Sequence, residues 1–164
     1  MEIALRRLTE IDPGDIIELM TDPRVRRHMP LARGEFGPAE CAGFVEAKEA
    51  LWREHGYGPW AFVIGGEFAG WGGLQSEEGD ADLGIVLHQR FWGYGRAIAE
   101  IFVEEAFGKL GFDSVIILLP ASRAAAHGIL RLGFVPDGGT EFHGVPFQRF
   151  RLLKHSNAGG QSSS

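Results

Sequence analysis

Cysteine is nearly missing from this chain: Cys41 stands alone among 164 residues. That excludes an intramolecular disulfide and a thiolate metal cluster, and it leaves Cys41 to be read as a small buried hydrophobe. Long hydrophobic runs are missing too. No apolar stretch approaches the ~18 residues of a membrane span, and no signal peptide opens the chain, so a cytoplasmic protein is expected. Runs of Lys and Arg are absent, and 16 basic against 22 acidic residues give a formal charge of −6. Nucleic-acid binding draws its affinity from phosphate neutralisation, so this balance argues against it, as it does not against a local basic pocket. The six histidines show no metal-ligand spacing, and no metal is expected.

What is present is enough apolar material for one core, without repeat or linker. A single domain over residues 3–153 is expected, followed by a Gly/Ser-rich tail, 156–164, with nothing to bury and therefore disordered. Ile3 to Leu8 suits a first strand. Asp12-Pro13 and Asp22-Pro23 each read as a helix start, Asp capping and Pro at the first helical position. From Pro38 the apolar residues fall three or four apart (Cys41, Phe44, Val45, Trp52), with Lys48 breaking the stripe. Its stem is expected along the core and its ammonium in water.

Trp60 to Ile64, Glu67 to Leu74 and Ala81 to Leu87 read as a three-stranded meander, with a Gly65-Gly66 turn and an acidic loop, Glu77-Glu78-Gly79-Asp80. A helix is expected from Gly93 to Leu110, with Glu105 and Lys109 paired and Gly111 as its stop. A strand buried on both faces follows at Val115 to Leu119. A helix from Ser122 to Leu132 and a terminal hairpin, Phe134 to Glu141 and Val145 to Leu153, complete the order. This is an α/β (α+β) pattern: a mixed, mainly antiparallel central sheet flanked by helices.

The stretch that points to chemistry is Leu83 to Ala97, where a strand meets a glycine-rich turn that opens a long helix. Such a helix start offers backbone N–H groups and the positive end of the helix dipole to a phosphate. Gly93 and Gly95 present no side chain to block a diphosphate, and Arg90 and Arg96 add positive charge. A dinucleotide-binding Rossmann turn fails as an alternative. Ile98 occupies its third glycine position, five residues separate Leu87 from Gly93, and the meander upstream is antiparallel.

These residues resemble the GNAT superfamily of acetyl-CoA-dependent N-acyltransferases, especially its Rim-type branch. The superfamily's Gln/Arg-x-x-Gly-x-Gly/Ala signature stands here as Arg90-Phe91-Trp92-Gly93-Tyr94-Gly95. Trp92-Gly93 matches the Rim-type form, and Leu132-Gly133-Phe134 the usual end of the next helix. Leu5-Arg6 and Phe68-Ala69-Gly70 fit as well, so the resemblance runs from about Ile3 to Leu153. It implies a single-domain GNAT-like fold and acetyl-CoA as co-substrate. Amides around Gly93, Tyr94, Gly95, Arg96 and Ala97 would hold the pyrophosphate. The strand end at Val86, Leu87 and His88 would bind the pantetheine arm and polarise the thioester carbonyl. This strand and the one at Val115 would splay apart to admit the arm.

The helix from Ser122 departs from the superfamily. Its usual asparagine falls at Ser122, its usual serine at Ala125, and the tyrosine that serves elsewhere as general acid at Ile129. Ser122 is the one polar candidate left there, and an N-cap would equally explain it. Proton removal from the amine falls to Asp80 or Asp82, directly or through water, with Glu141 and His143 as weaker candidates. Trp60, Trp71, Trp92 and Phe36 are candidates for an acceptor pocket. The expected function is therefore N-acetyl transfer from acetyl-CoA to a primary amine, either a protein N-terminus or a small molecule. A non-catalytic acyl-CoA sensor of the same fold is the alternative. A homodimer is compatible with the sequence, which identifies neither the acceptor nor the oligomeric state.

Overall fold

A computed structural model describes residues 2–29, 32, 34–121 and 127–154. Ser122 and the 156–164 tail lie outside them. Seven strands form one sheet in the order β1-β2-β3-β4-β5-β7-β6: β1 (Ile3–Arg6), β2 (Trp60–Ile64), β3 (Glu67–Glu77), β4 (Asp80–Leu87), β5 (Ser114–Pro120), β6 (Val135–Phe142) and β7 (Val145–Leu153). All neighbours are antiparallel except β4 and β5, which run parallel. The helix-linked crossover between them requires that. The expected mixed, mainly antiparallel sheet flanked by helices is what forms.

Helices cover both faces, and two apolar cores result. On one face α4 (Gly95–Phe107) buries Ile98, Phe102 and Ala106 against Phe62, Leu74, Leu83 and Val115. On the other, α1 (Pro13–Thr21), α2 (Pro23–Arg26) and α3 (Pro38–His55) enclose Leu8, Ile16, Leu19, Val25 and Cys41 with Trp71. The caps work as their sequences dictate. Asp12 accepts from the Gly14 N–H and Asp22 from the Arg24 N–H, each at 2.8 Å, and α3 ends on Gly56 in the left-handed region.

Several boundaries differ from the sequence expectation for identifiable reasons. The first strand stops at Arg6, because Leu8 enters a 3-10 turn and is buried. The acidic loop shrinks to Glu78-Gly79, both at positive φ, so Glu77 and Asp80 become paired strand residues on a tight two-residue hairpin. The helix expected from Gly93 begins at Gly95, preceded by a 3-10 turn over Gln89–Tyr94, and it ends at Phe107. Gly108 rather than Gly111 closes it, which leaves Lys109 beyond the helix. The i,i+4 ion pair on α4 is instead Arg96–Glu100, at 3.0 Å. A short helix, α5 (His127–Arg131), is the described part of the one expected from Ser122.

Candidate active site

The two parallel strands part company almost at once. β4 and β5 pair only at Ala81↔Val115 and Asp82↔Ile116, while β5 stays in register with β7 from Ser114 to Pro120. A V-shaped opening therefore runs from Asp82, at its closed end, to Leu87, at its mouth. It also explains why Leu118 and Leu119 are only half buried in a strand expected to be covered on both faces.

The edge that β4 turns to this opening follows from strand geometry, since successive residues aim their N–H groups alternately to the two sides. The His88 N–H donates to the Ala69 carbonyl at 2.9 Å, so it points at β3. By alternation Val86 also faces β3, while Leu87 and Ile85 face the opening. The Trp92 indole N–H donates to the Leu87 carbonyl at 3.0 Å, from that same side. Of the three strand-end residues singled out in sequence, Leu87 alone offers its amide to the gap, and Ile85 joins it unannounced by any motif. Glycine on β3 lets β4 lie this close: a Cβ at Gly70 or Gly72 would stand 2.0 or 2.2 Å from the carbonyl oxygens of Val86 and Gly84.

At the mouth lies the glycine turn. Gly95 has right-handed helical torsions, a Cβ there would meet nothing nearer than Leu87 Cδ1 at 4.0 Å, and one at Gly93 would meet nothing. The fold itself thus makes no demand for glycine at either position. The Gly95 N–H is already bonded to the Trp92 carbonyl within the 3-10 turn, so this donor, which the sequence pattern assigns to phosphate, is partly spent. Tyr94 packs on Phe91. Arg90 and Arg96 are engaged by Glu67 and Glu100, each at 3.0 Å. Both pairs are exposed and so are held weakly against a stronger anion. His88 is buried, and burial first and the Arg90 charge second push its pKa down.

At the closed end the two candidate carboxylates separate. Asp80 is bound by Arg151, whereas Asp82 is not, and Asp82 is pushed up to about 7, by burial first and by the Glu77 and Asp80 charges, against the pull of Lys48. Burial likewise pushes the Lys48 ammonium down, against Asp82. Lys48 is half-buried, its stem along the core as expected. Its Nζ donates to Gln75 Oε1 at 3.3 Å and lies 5.0 and 5.5 Å from the ring centroids of Trp71 and Phe44.

The aromatic candidates divide. Phe36, Phe44 and Trp71 form an edge-to-face chain beside Lys48, whereas Trp60 packs on Trp52 and the core beneath α4. Glu141 and His143 sit at the β6–β7 turn. Ile129 packs against the α4 core and brings no acid. Among the described residues no group of His, Cys, Asp and Glu is arranged to hold a metal, and no helix is long and apolar enough to cross a membrane.

Comparison with known proteins agrees with this geometry. An acetyltransferase from Agrobacterium tumefaciens superposes with a TM-score of 0.76 at 21% identity, covering 93% of this chain and 91% of that one. The spermidine N-acetyltransferase SpeG of Vibrio cholerae gives 0.71 at 14% identity, over 97% and 98%. The ribosomal L7/L12 alpha-N-protein acetyltransferase RimL, in complex with coenzyme A, gives 0.73 at 15%, over 92% and 93%. Identities this low speak for the fold alone. The family is shown by the sequence itself: the model of the Acetyltransferase (GNAT) domain matches residues 2–135, most of the chain, which therefore belongs to the GNAT acetyltransferase family.

Proposed function

We propose that the protein is a cytoplasmic N-acetyltransferase that moves an acetyl group from acetyl-CoA to a primary amine by direct attack in a ternary complex. The observation that carries this reading is the V between β4 and β5, with an open glycine turn at its mouth and Asp82 at its apex. Acetyl-CoA supplies the activated acyl group. The turn from Arg90 to Ala97 takes the diphosphate, with Arg90 and Arg96 exchanging their carboxylate partners for it. The edge amides of Leu87 and Ile85 hold the arm, and one of them donates to the carbonyl oxygen as negative charge develops there. The amine nitrogen forms the new C–N bond, the C–S bond breaks, and the thiolate leaves.

Before attack the ammonium must lose a proton, and Asp82 is the acceptor we assign. At ~3.3 Å per residue, Asp82 lies ~10 Å along the strand from Ile85, so the proton travels through water rather than by direct contact. Ser122 lies outside the described residues and keeps only the candidate catalytic role that the resemblance gives it. The Trp92-Gly93 pair supports placement in the Rim-type branch, for which a protein N-terminus or a small amine is the acceptor. A homodimer is compatible with this reading, and neither nucleic acid nor a membrane has a place in it.

Ile129, packed against the core where the resemblance puts a tyrosine acid, favours a second reading: acyl-CoA binding without turnover. Thiol release with acetyl-CoA and a panel of amines and N-terminal peptides, beside a thermal melt with and without acetyl-CoA, separates the two. Release with at least one amine is expected. A raised melting temperature without release from any amine selects the sensor, and no shift at millimolar acetyl-CoA removes both readings.

A further inference from the structure

Two unlike charges face the same hollow and do not pair. Gly73 and Gly84 are direct partners across β3 and β4, flanked by Trp71↔Val86 on one side and Gln75↔Asp82 on the other. Asp82, Gly84 and Val86 alternate onto one face of β4, and a Cβ at Gly84 would meet nothing. Lys48 reaches both Gln75 and Trp71, two strand positions either side of Gly73, so its ammonium lies over this stretch of β3. Open space over Gly84 thus lies between the Trp71↔Val86 pair and the Gln75↔Asp82 pair.

Within it, no ion pair joins Lys48 to Asp82 among the described residues, although both are partly buried and each feels the other's charge. Lys48 has three N–H donors and spends one, on a neutral amide oxygen. A buried cation without an anion is costly, and the same holds for a buried carboxylate. Glu77 and Asp80 add negative charge on the Asp82 side, and Arg151 offsets Asp80. One molecule answers both charges: a small zwitterion, its carboxylate on Lys48 and its ammonium facing Asp82 across the water through which the proton leaves.

We propose that Lys48 determines acceptor specificity by binding a carboxylate, and that the acceptor is a free amino acid or a similarly small amine bearing a carboxylate. This rests on the amine-acetylation reading above and narrows its acceptor. A polyamine brings no anion for Lys48, and a peptide N-terminus holds its terminal carboxylate too far from its amine.

The test pairs the common amino acids with their carboxamides, adds spermidine and an N-terminal peptide, and compares the native enzyme with Lys48→Met and Lys48→Arg. Acetyl-CoA turnover is measured for each. Calorimetric binding of each amine to the CoA-loaded protein gives a readout that needs no turnover, and CoA binding itself checks folding. The native enzyme is expected to favour at least one amino acid over its amide by about tenfold or more in KM. In Lys48→Met the two KM values should converge, with kcat much less changed, and Lys48→Arg should restore part of the preference. Equal use of acid and amide, an equal loss for both in Lys48→Met, or turnover of spermidine or peptide alone overturns the proposal while leaving acetylation intact. Lys48-dependent binding of an amino acid that is never acetylated overturns the proposal, since the bound molecule is then a ligand and not an acceptor, and release from no amine at all overturns the acetylation reading beneath it. Neither binding nor turnover of any amino acid overturns the proposal.

Discussion

Arg151 on β7 holds Asp80, at the start of β4, through two nitrogens, Nη1 to Oδ1 at 2.8 Å and Nη2 to Oδ2 at 3.3 Å. The same guanidinium donates through Nε to Asp137 at 2.7 Å, so one side chain ties β4, β6 and β7 together. Its proton is held above the ordinary arginine range, by Asp80 first and Asp137 second. This contact distinguishes two carboxylates that sequence leaves equivalent: Asp80 is committed to a structural bond, which leaves Asp82 for the proton transfer we propose. Replacing Arg151 by methionine should cost about 1–2 kcal/mol, since the pairs are only partly buried, and thermal melts will read it. It should also leave the Asp80 charge uncompensated beside Asp82. The ascending limb of the pH–rate profile should then move to higher pH.

Asp82→Asn removes the proposed proton acceptor while keeping nearly the same shape. With the acceptor titrating at about 7, kcat/KM of the native enzyme should climb through neutral pH. The variant should lose that limb and retain only the rise set by the amine itself. The deficit is expected to be 10²-fold or more, about the worth of a positioned general base, and largest above pH 7, where Asp82 is ionised and the amine is still protonated. Calorimetric CoA affinity should stay within about twofold. A variant whose pH–rate profile superposes on the native one would remove Asp82 from the mechanism.

The same carboxylate makes a prediction for stability, with a sign opposite to most aspartates. Its folded pKa, about 7, lies above the unfolded value of about 3.9, so below pH 7 the native state holds a proton that the unfolded chain releases. The stability this contributes is fully present below about pH 4 and is lost as pH rises to 7. Asp82→Asn carries no such loss. Its melting temperature relative to the native protein should rise between pH 4 and 7 and level off above, by no more than about 2 kcal/mol for a partly exposed group. Melts across that range check it, and a difference independent of pH would contradict the raised pKa.

How far such a site can be read in advance depends on what fixes each residue. The strands, the capped helices and the glycine turn were legible because each is written locally, as an alternation, an Asp-Pro cap or a Gly-x-Gly spacing. Asp82 was visible as a carboxylate entering the central strand, but nothing nearby in sequence distinguishes it from Asp80. The partner that does so, Arg151, stands 71 residues further on. Lys48 showed itself only as an interruption of an apolar stripe. The role proposed for it depends on α3 bringing it onto Trp71 and Gln75, contacts across more than 20 residues of sequence. Ile85 carried no signal at all, because an edge amide is chosen by strand register and not by side chain.

Gly95 provides the sharpest separation of a ligand cradle from a mere turn. Its torsions are those of an ordinary helix residue, and a Cβ there would meet only Leu87 Cδ1, at 4.0 Å. Neither backbone strain nor packing therefore requires glycine. Alanine should be accepted, both because it is a good helix former and because it adds little bulk. Glutamate is different. From this position its carboxylate projects toward Leu87, between the turn and the strand edge where diphosphate and arm would lie, and adds both bulk and like charge. At the first turn of α4 it suits the helix dipole, so the fold should survive. Gly95→Glu should lower CoA affinity at least about tenfold, equivalent to about 1.4 kcal/mol, with the melting temperature of the ligand-free protein nearly unchanged. Calorimetric titration beside a thermal melt gives both numbers. Undiminished CoA binding by a folded Gly95→Glu protein would put the diphosphate elsewhere and take the glycine turn out of the site.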